Sequence, residues 1–442
     1  MRVRSASWVF AAQVLGKAVA FPVGIVLARA LGASGKGTLS LVQLITQFSV
    51  VVLGLGLSSA FLYLAGRREV RGRDAAVLAM GLGAAAVSVL LAAYAIVGHG
   101  RIEALLKIPS GPLLLVGILL VGPALVLNLM YQVVLGSGAV RAATSVINVS
   151  MALQLAAYAG LFAFGALTLK AAVAVWAASV LGEAVVVSAL GLRVRAQEGS
   201  PMGARLLFER AYRYGLTMWV ATLVGQAALR VDMLLLSAHR GTAEVGVYSV
   251  AVTFAELLWL VPSALNAVML PKVSGEGPVA LDVTLRLQRV LWPLTLVAGT
   301  VVTLIAWPVV PLLYGREFSR SIIPLALLMP GAVAMAATVL PSAYLSGSGR
   351  PGEWTKASVA NLGVNVVANV VLIPLLGAPG AAIASAVSYS VAAAVVIRAF
   401  ARFAEVSYRD VLLPARSDVR ALVDGVRQVL HGDAGSVQEV AP

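Results

Sequence analysis

The chain has 442 residues, 60% of them hydrophobic and only 12% charged, with a mean hydropathy of +0.94; a soluble domain carries roughly 25% charged residues. That composition excludes a soluble enzyme or binding module and predicts an all-α integral membrane protein. The net charge of +14 sits between apolar runs rather than in a basic domain, so it reads as a topology signal and not as a nucleic-acid surface.

Apolar runs long enough to cross a roughly 30 Å hydrocarbon core predict twelve spans, at 6–31, 38–65, 75–98, 112–135, 143–168, 171–192, 212–238, 246–271, 287–313, 322–346, 355–376 and 379–401. The runs are continuous, unlike the short alternating segments of a membrane barrel. The first begins behind Met1-Arg-Val-Arg4 and is far longer than a signal-peptide core, so it reads as an uncleaved span. Sorting Lys and Arg by side, about 23 fall with the N-terminus and about 8 on the opposite face. Both termini are therefore expected in the cytoplasm, with the chain in the cytoplasmic (inner) membrane and surrounded by membrane lipids. The longest loop on the other side runs from about Val97 to Gly111, too short for a further domain.

The sequence repeats itself. Gly32-Ala-Ser-Gly-Lys-Gly-Thr-Leu-Ser40 matches Gly241-Thr-Ala-Glu-Val-Gly-Val-Tyr-Ser249, Leu135-Gly-Ser-Gly138 matches Ser346-Gly-Ser-Gly349, and Asn148 falls opposite Asn361. Six spans separate equivalent helices, so the halves run parallel and are related by an axis along the membrane normal. The expected organisation is a six-helix lobe at 1–200, a second at 201–403 around a shared central cavity, and a cytoplasmic tail at 404–442. Val419, Leu422, Val423, Val426 and Leu430 give the tail the spacing of an amphipathic helix, either interfacial or loosely packed on the inner loops.

Polar groups inside the spans mark where function is expected, because a charge at the bilayer centre costs from roughly 3 to over 10 kcal/mol. Lys17 lies about halfway along span 1. The repeat aligns it with Gln226, and aligns Gln47 of span 2 with Glu256 of span 8; Gln43 shares a face with Gln47. If the lobes face each other, Lys17, Gln47, Gln226 and Glu256 approach one cavity from two sides. The structural alternative pairs Lys17 with Glu256 or Glu183 and uses the glutamines to bind helices together. Arg230 and Asp232 are about 200° apart on a straight helix and need separate partners. Arg230 takes either the cavity or a glutamate. Asp232, about 13 Å from Gly241, is close to mid-bilayer. Asn361, Asn365 and Asn369 recur every four residues along span 11, and Ser385 follows on span 12. Arg29 and Lys36, near the outer end of span 1, read as ordinary interfacial residues.

Four pieces of sequence together resemble the polysaccharide flippase branch of the multidrug/oligosaccharidyl-lipid/polysaccharide exporter superfamily, the O-antigen and capsule flippases. They are Leu27-Ala-Arg-Ala-Leu-Gly32 with Gly37; Asp232 followed by Gly241 and Gly246 to Ser249; Leu270-Pro-Lys-Val-Ser274; and Asn365 to Pro374 with Gly377, Gly380, Ala381 and Ala382. The resemblance implies alternating-access movement of a lipid-linked oligosaccharide, on undecaprenyl pyrophosphate, with a polysaccharide polymerase or other assembly proteins as partners. It implies no enzyme activity and no cofactor beyond a coupling Na⁺ or H⁺. Under it, Lys17 and Arg230 are cavity cations for an anionic head group. Arg29 and Lys36 either receive cargo after flipping or are ordinary interfacial residues, and the second reading is preferred. Asp232, Asn365, Asn369 and Ser385 match positions that hold sodium in some members, a hard ion that prefers oxygen ligands. Asn369 stands where a second acid can occur. The alternative is an asparagine ladder that binds helices, with Asp232 neutral and hydrogen-bonded. The superfamily also contains lipid II flippases, with fourteen spans, and drug/cation antiporters.

Two other patterns carry nothing. Gly32-Ala-Ser-Gly-Lys-Gly-Thr38 lacks the spacing and the preceding strand of a phosphate loop. His99, His239 and His431 are far apart and give no metal or triad pattern.

Overall fold

The computed structural model describes residues 3–107, 111–195, 203–263 and 277–413, and these are helical throughout, with no strand among them. Among the described residues eleven helices are long and apolar enough to cross a membrane. The first of these is two spans in one. Val3–Leu53 runs through Gly32, where φ 64° and ψ −176° break the helix and turn the chain back. Spans 1 and 2 therefore meet at a single residue rather than across the loop expected at 32–37, and the protein is a twelve-span, multi-pass membrane protein. Span 2 breaks again at Gly54–Gly56 and continues as Leu57–Gly66.

Spans 3 to 6 are Gly72–Val97, Gly111–Gly136, Val140–Ala163 and Leu169–Gly191. Spans 7 and 8 are Ala204–Arg240 and Thr242–Glu256, the latter continuing in a 3₁₀ turn at Leu257–Trp259. Spans 9, 11 and 12 are Gly277–Tyr314, Gly352–Leu376 and Ala378–Phe403, and span 10 is made of Ile322–Ala336 and Val339–Gly347. Between spans 3 and 4 the chain forms a short helix, His99–Leu106, where a loop is expected. The motif 270–274, the tail helix at 416–430 and His431 lie outside the described residues.

Backbone conformation makes the repeat visible in a way the loose motifs do not. Glycines with positive φ terminate equivalent helices in both halves: Gly32 and Gly241 (64° and 85°), Gly98 and Gly315 (87° and 102°), Gly138 and Gly349 (89° and 81°), Gly165 and Gly377 (67° and 66°). Only glycine takes this conformation without a Cβ clash, so four inter-helix turns are fixed in kind by one residue each. Packing follows the same scheme in both lobes: span 1 lies on span 5 as span 7 lies on span 11, and span 4 lies on span 6 as span 10 lies on span 12.

The lobes meet most closely at the end of the bundle that carries Gly32 and Gly241. A Cβ on Gly37 would stand 1.8 Å from the Thr242 carbonyl oxygen, and one on Gly246 would stand 2.0 Å from that of Ala33. The two contacts are reciprocal across the repeat. Around them Ser34 and Thr242 share a hydrogen bond of 3.1 Å, and the Lys36 ammonium donates to Ser249 Oγ at 2.6 Å. Lys36 is thus buried between lobes rather than interfacial. Arg29 also reaches across, donating from Nε to the Leu313 carbonyl at 2.8 Å. At the opposite end the lobes touch on one flank, where Gly56 packs on Gly215 and Trp219 Nε1 donates to the Val51 and Val52 carbonyls at 3.0 and 3.1 Å.

The chain has no cysteine, so an introduced pair reports this closure directly. The variant Ser34→Cys/Thr242→Cys is expected to form a disulfide readily on mild oxidation in membranes, and adding Gly37→Val is expected to suppress most of it. Gel mobility with and without reductant reads the outcome.

Candidate functional site

A cavity of ≈ 570 Å³ opens between spans 1, 4, 5 and 8, lined by Lys17, Tyr131, Asn148, Glu256 and Trp259 among apolar neighbours. Gly16 lets span 1 approach span 5 closely, since a Cβ there would be 3.3 Å from Asn148 Oδ1. Lys17, the next residue, meets the last residue of the α-helical part of span 8: its ammonium is 3.3 Å from Glu256 Oε2. From span 7, Arg230 Nη2 donates to Glu256 Oε1 at 2.8 Å. Two cations from different lobes therefore share one carboxylate, and the cluster keeps a net charge of +1. The Lys17 and Arg230 side chains are 45% and 33% exposed and Glu256 only 21%, so the cations are more open than the anion that joins them. Pairs this exposed stabilise a fold weakly, by about 0–1 kcal/mol. The glutamines fall elsewhere. Gln47 and Gln226 are exposed, do not line this cavity and make no hydrogen bond among the described residues.

Two residues beyond Arg230, on another face of span 7, Asp232 is buried in a different environment. Tyr248 Oη and Ser385 Oγ both donate to Asp232 Oδ2, at 2.6 and 3.0 Å, and the Met233 amide donates to Oδ1 at 2.7 Å. No ion pair reaches this carboxylate among the described residues. The network continues outward: Asn365 Nδ2 donates to Ser385 Oγ and Ser388 Oγ at 3.3 and 3.2 Å, and Asn369 Nδ2 donates to the Asn365 backbone and side-chain carbonyls at 2.8 Å. Asn369 Oδ1 and Asn361 Oδ1 are buried with no hydrogen-bond partner. Asp232, Asn365, Asn369 and Ser385, nominated from sequence, are thus one connected cluster. Tyr248 and Ser388 are the members that sequence reasoning missed, although Tyr248 stands in the Gly246-to-Ser249 motif.

The comparisons with known proteins agree with the architecture. The sequence profile of the polysaccharide biosynthesis protein family matches residues 26–323, more than half of the chain. The chain belongs to that family. No curated protein sequence matches it significantly. Among solved structures, it is similar to an inward-facing multidrug resistance MATE family transporter of the MOP superfamily, at 17% identity over 90% of this chain and 96% of that one, with a TM-score of 0.67. It is also similar to the lipid II flippase MurJ in an inward closed conformation, at 13% identity over 97% and 93% of the chains, with a TM-score of 0.67. A third is a MOP superfamily transporter from Pyrococcus furiosus, described as having a binding pocket of reverse polarity: 16% identity, 91% and 95% coverage, TM-score 0.57. Likeness at these identities is one of fold, and the chain shares the fold of these transporters.

Within this chain the two lobes differ where the repeat allows them to be compared residue by residue. Asp232 lies nine residues before Gly241 as Val23 lies nine before Gly32; Tyr248 follows Gly241 by seven as Leu39 follows Gly32; Ser385 follows Gly377 by eight as Val173 follows Gly165. In the N-terminal lobe these positions belong to an apolar cluster. The fold is therefore built without the polar network in one lobe and with it in the other, which separates the network from what the architecture needs. Buried polar groups are costly to leave half-satisfied, while replacing a whole set by apolar residues can be nearly neutral. Tyr248→Phe is expected to lower stability by about 1–3 kcal/mol, whereas Asp232→Val/Tyr248→Leu/Ser385→Val, which installs the N-terminal pattern, is expected to lose less. Thermal unfolding of the purified protein in detergent checks the order.

Proposed function

We propose that the protein is a flippase that moves a lipid-linked, pyrophosphate-bearing oligosaccharide across the cytoplasmic membrane by alternating access, as a step of surface polysaccharide biosynthesis. One observation carries the cargo class: Lys17 and Glu256 line the cavity, and Arg230, which lies outside its lining, pairs with the same carboxylate, so two cations share one anion at its edge. In this reading the N-terminal lobe (1–200) and the C-terminal lobe (201–403) rock against each other, and the termini face the cytoplasm. The tightly packed Gly32 end is then the outer side, and the cavity of Lys17 is offered to the inner leaflet.

The chemistry follows from the ion cluster. Glu256 neutralises part of the charge while no cargo is present. A pyrophosphate displaces the carboxylate from Lys17 and Arg230, because it brings more negative charge and more acceptor oxygens to the same donors. The prenyl tail stays in lipid throughout, so the cavity needs to house only the polar part. A cationic drug, the cargo of an antiporter, would meet the wrong sign of charge here.

The Asp232 cluster is the proposed coupling site, with Na⁺ or H⁺ as co-substrate. Asp232 and the unpartnered Asn369 Oδ1 supply oxygen ligands of the kind a hard cation takes. Occupancy changes the charge on span 7, the helix that also carries Arg230, and so shifts the balance between the two states of the transporter. Polysaccharide polymerase and other assembly proteins are the expected partners.

Complementation of flippase-deficient strains with defined surface polysaccharides tests the proposal. Wild-type protein is expected to restore polymer in at least one oligosaccharide flippase strain. Lys17→Ala is expected to lower the restored polymer about tenfold, the effect of losing one charge-assisted contact. Restoration confined to a lipid II flippase strain, or drug resistance with no restored polymer, contradicts it. A second test concerns coupling: Asp232→Asn is expected to leave the protein folded and to remove the dependence of transport on the cation gradient, and an unchanged dependence rejects Asp232 as the coupling group.

A further inference from the structure

At the end of the bundle that carries Val3 and Phe403, the turns after spans 2, 4 and 6 enclose a cleft of ≈ 400 Å³ lined by Arg68, Arg193, Arg195 and Ser137. We propose that this cleft is a binding site for a phosphate group, distinct from the cavity of Lys17.

Three observations carry it. First, none of the three guanidiniums makes a hydrogen bond or ion pair with any described group. The carboxylate nearest in sequence, Glu69, is already taken, with Arg67 Nε at 2.7 Å and Arg210 Nη1 at 3.6 Å. Three planar donor groups thus line one concavity with no carboxylate partner among the described residues, an arrangement that fits the oxygens of a phosphate.

Second, Arg68 occupies a position that favours glycine. Span 2 ends in a left-handed turn in which the Glu69 amide donates to the Leu64 carbonyl and the Arg68 amide to that of Ala65, both at 3.0 Å, and Arg68 has φ 58°. Span 4 ends in the same turn, with the Ala139 amide on the Val134 carbonyl at 3.3 Å and the Gly138 amide on that of Leu135 at 3.0 Å, but there the left-handed residue is Gly138. Leu55, Lys107 and Glu405 take the same conformation, and of the four Arg68 is the one that lines this cleft.

Third, the cleft is a fixed assembly. The Gly72 amide donates to the Val194 carbonyl at 3.0 Å, and a Cβ on Gly72 would stand 1.8 Å from the Gly191 carbonyl oxygen. That contact ties the turn of Arg68 to the segment that carries Arg193 and Arg195. The helix C-termini attract cations, and topology favours arginine on the cytoplasmic side. Those effects explain basic residues at this end of the bundle. They do not explain why three guanidiniums without a partner among the described residues line one cleft.

The phosphate comes either from the head group of an anionic phospholipid or from solution. The test uses the full chain, as wild type, Arg68→Gly and Arg193→Ala/Arg195→Ala. Native mass spectrometry counts bound phosphatidylglycerol on the delipidated protein in one arm, and calorimetry measures inorganic phosphate in the other. Arg68→Gly removes a guanidinium while relieving the backbone, so it is expected to keep or raise the unfolding temperature and still weaken binding about tenfold. Arginine-dependent binding in the lipid arm identifies a head-group site, and in the phosphate arm alone a site for soluble phosphate; either supports the proposal. Undiminished binding by both variants, or no binding by wild type in either arm, overturns it.

Discussion

The reciprocal approach of Gly37 to Thr242 and of Gly246 to Ala33 is the constraint on which the interior depends. With no side chain at either glycine, the backbones of spans 2 and 8 touch, and the lobes are held together at one end of the bundle. Everything polar between the lobes is then positioned by distance from that contact. Lys17 and Glu256 each lie fifteen residues from the glycine that turns their own lobe, about 22 Å along the helix, and so arrive at the same depth from opposite lobes. Their ion pair follows from the symmetry of the contact above them. The cavity is found away from that contact, between spans 1, 4, 5 and 8.

Span 7 carries two charges with different environments, and the difference follows from helical geometry. Arg230 turns to Glu256 at the interface between lobes, while Asp232 points into its own lobe, toward spans 8 and 12. One is partly exposed and balanced by another charge. The other is dry and satisfied by hydroxyl and amide donors. In the proposed function span 7, which carries both residues, is the element that would couple the two sites, since rotating it changes both sets of contacts.

Much of this was legible in the sequence, for identifiable reasons. Lipid removes water as a hydrogen-bond partner, so spans declare themselves by length, and a carboxylate, an asparagine stripe and a serine inside them must find each other. The repeat was readable because only glycine fits the turns at Gly32 and Gly241. What was not legible depends on approach between helices. Spacing along span 7 sends Arg230 and Asp232 to different faces but does not choose between cargo and Glu256 for Arg230. Tyr248 escaped notice because a tyrosine in an apolar run is commonly a core residue; its alignment with Leu39 was the available signal. Lys36 looked interfacial by position, yet the close glycine contact draws it between the lobes. Gln47 and Gln226 matched the charged pair by alignment alone, and neither joins the cluster.

The most direct test of the account is translocation in reconstituted vesicles, comparing a fluorescent prenyl-pyrophosphate-linked saccharide with an analogue in which a neutral linker replaces the pyrophosphate. The account predicts protein-dependent movement of the first and little of the second, because the charge of the Lys17, Arg230 and Glu256 cluster selects the anion. Equal movement of both would contradict it.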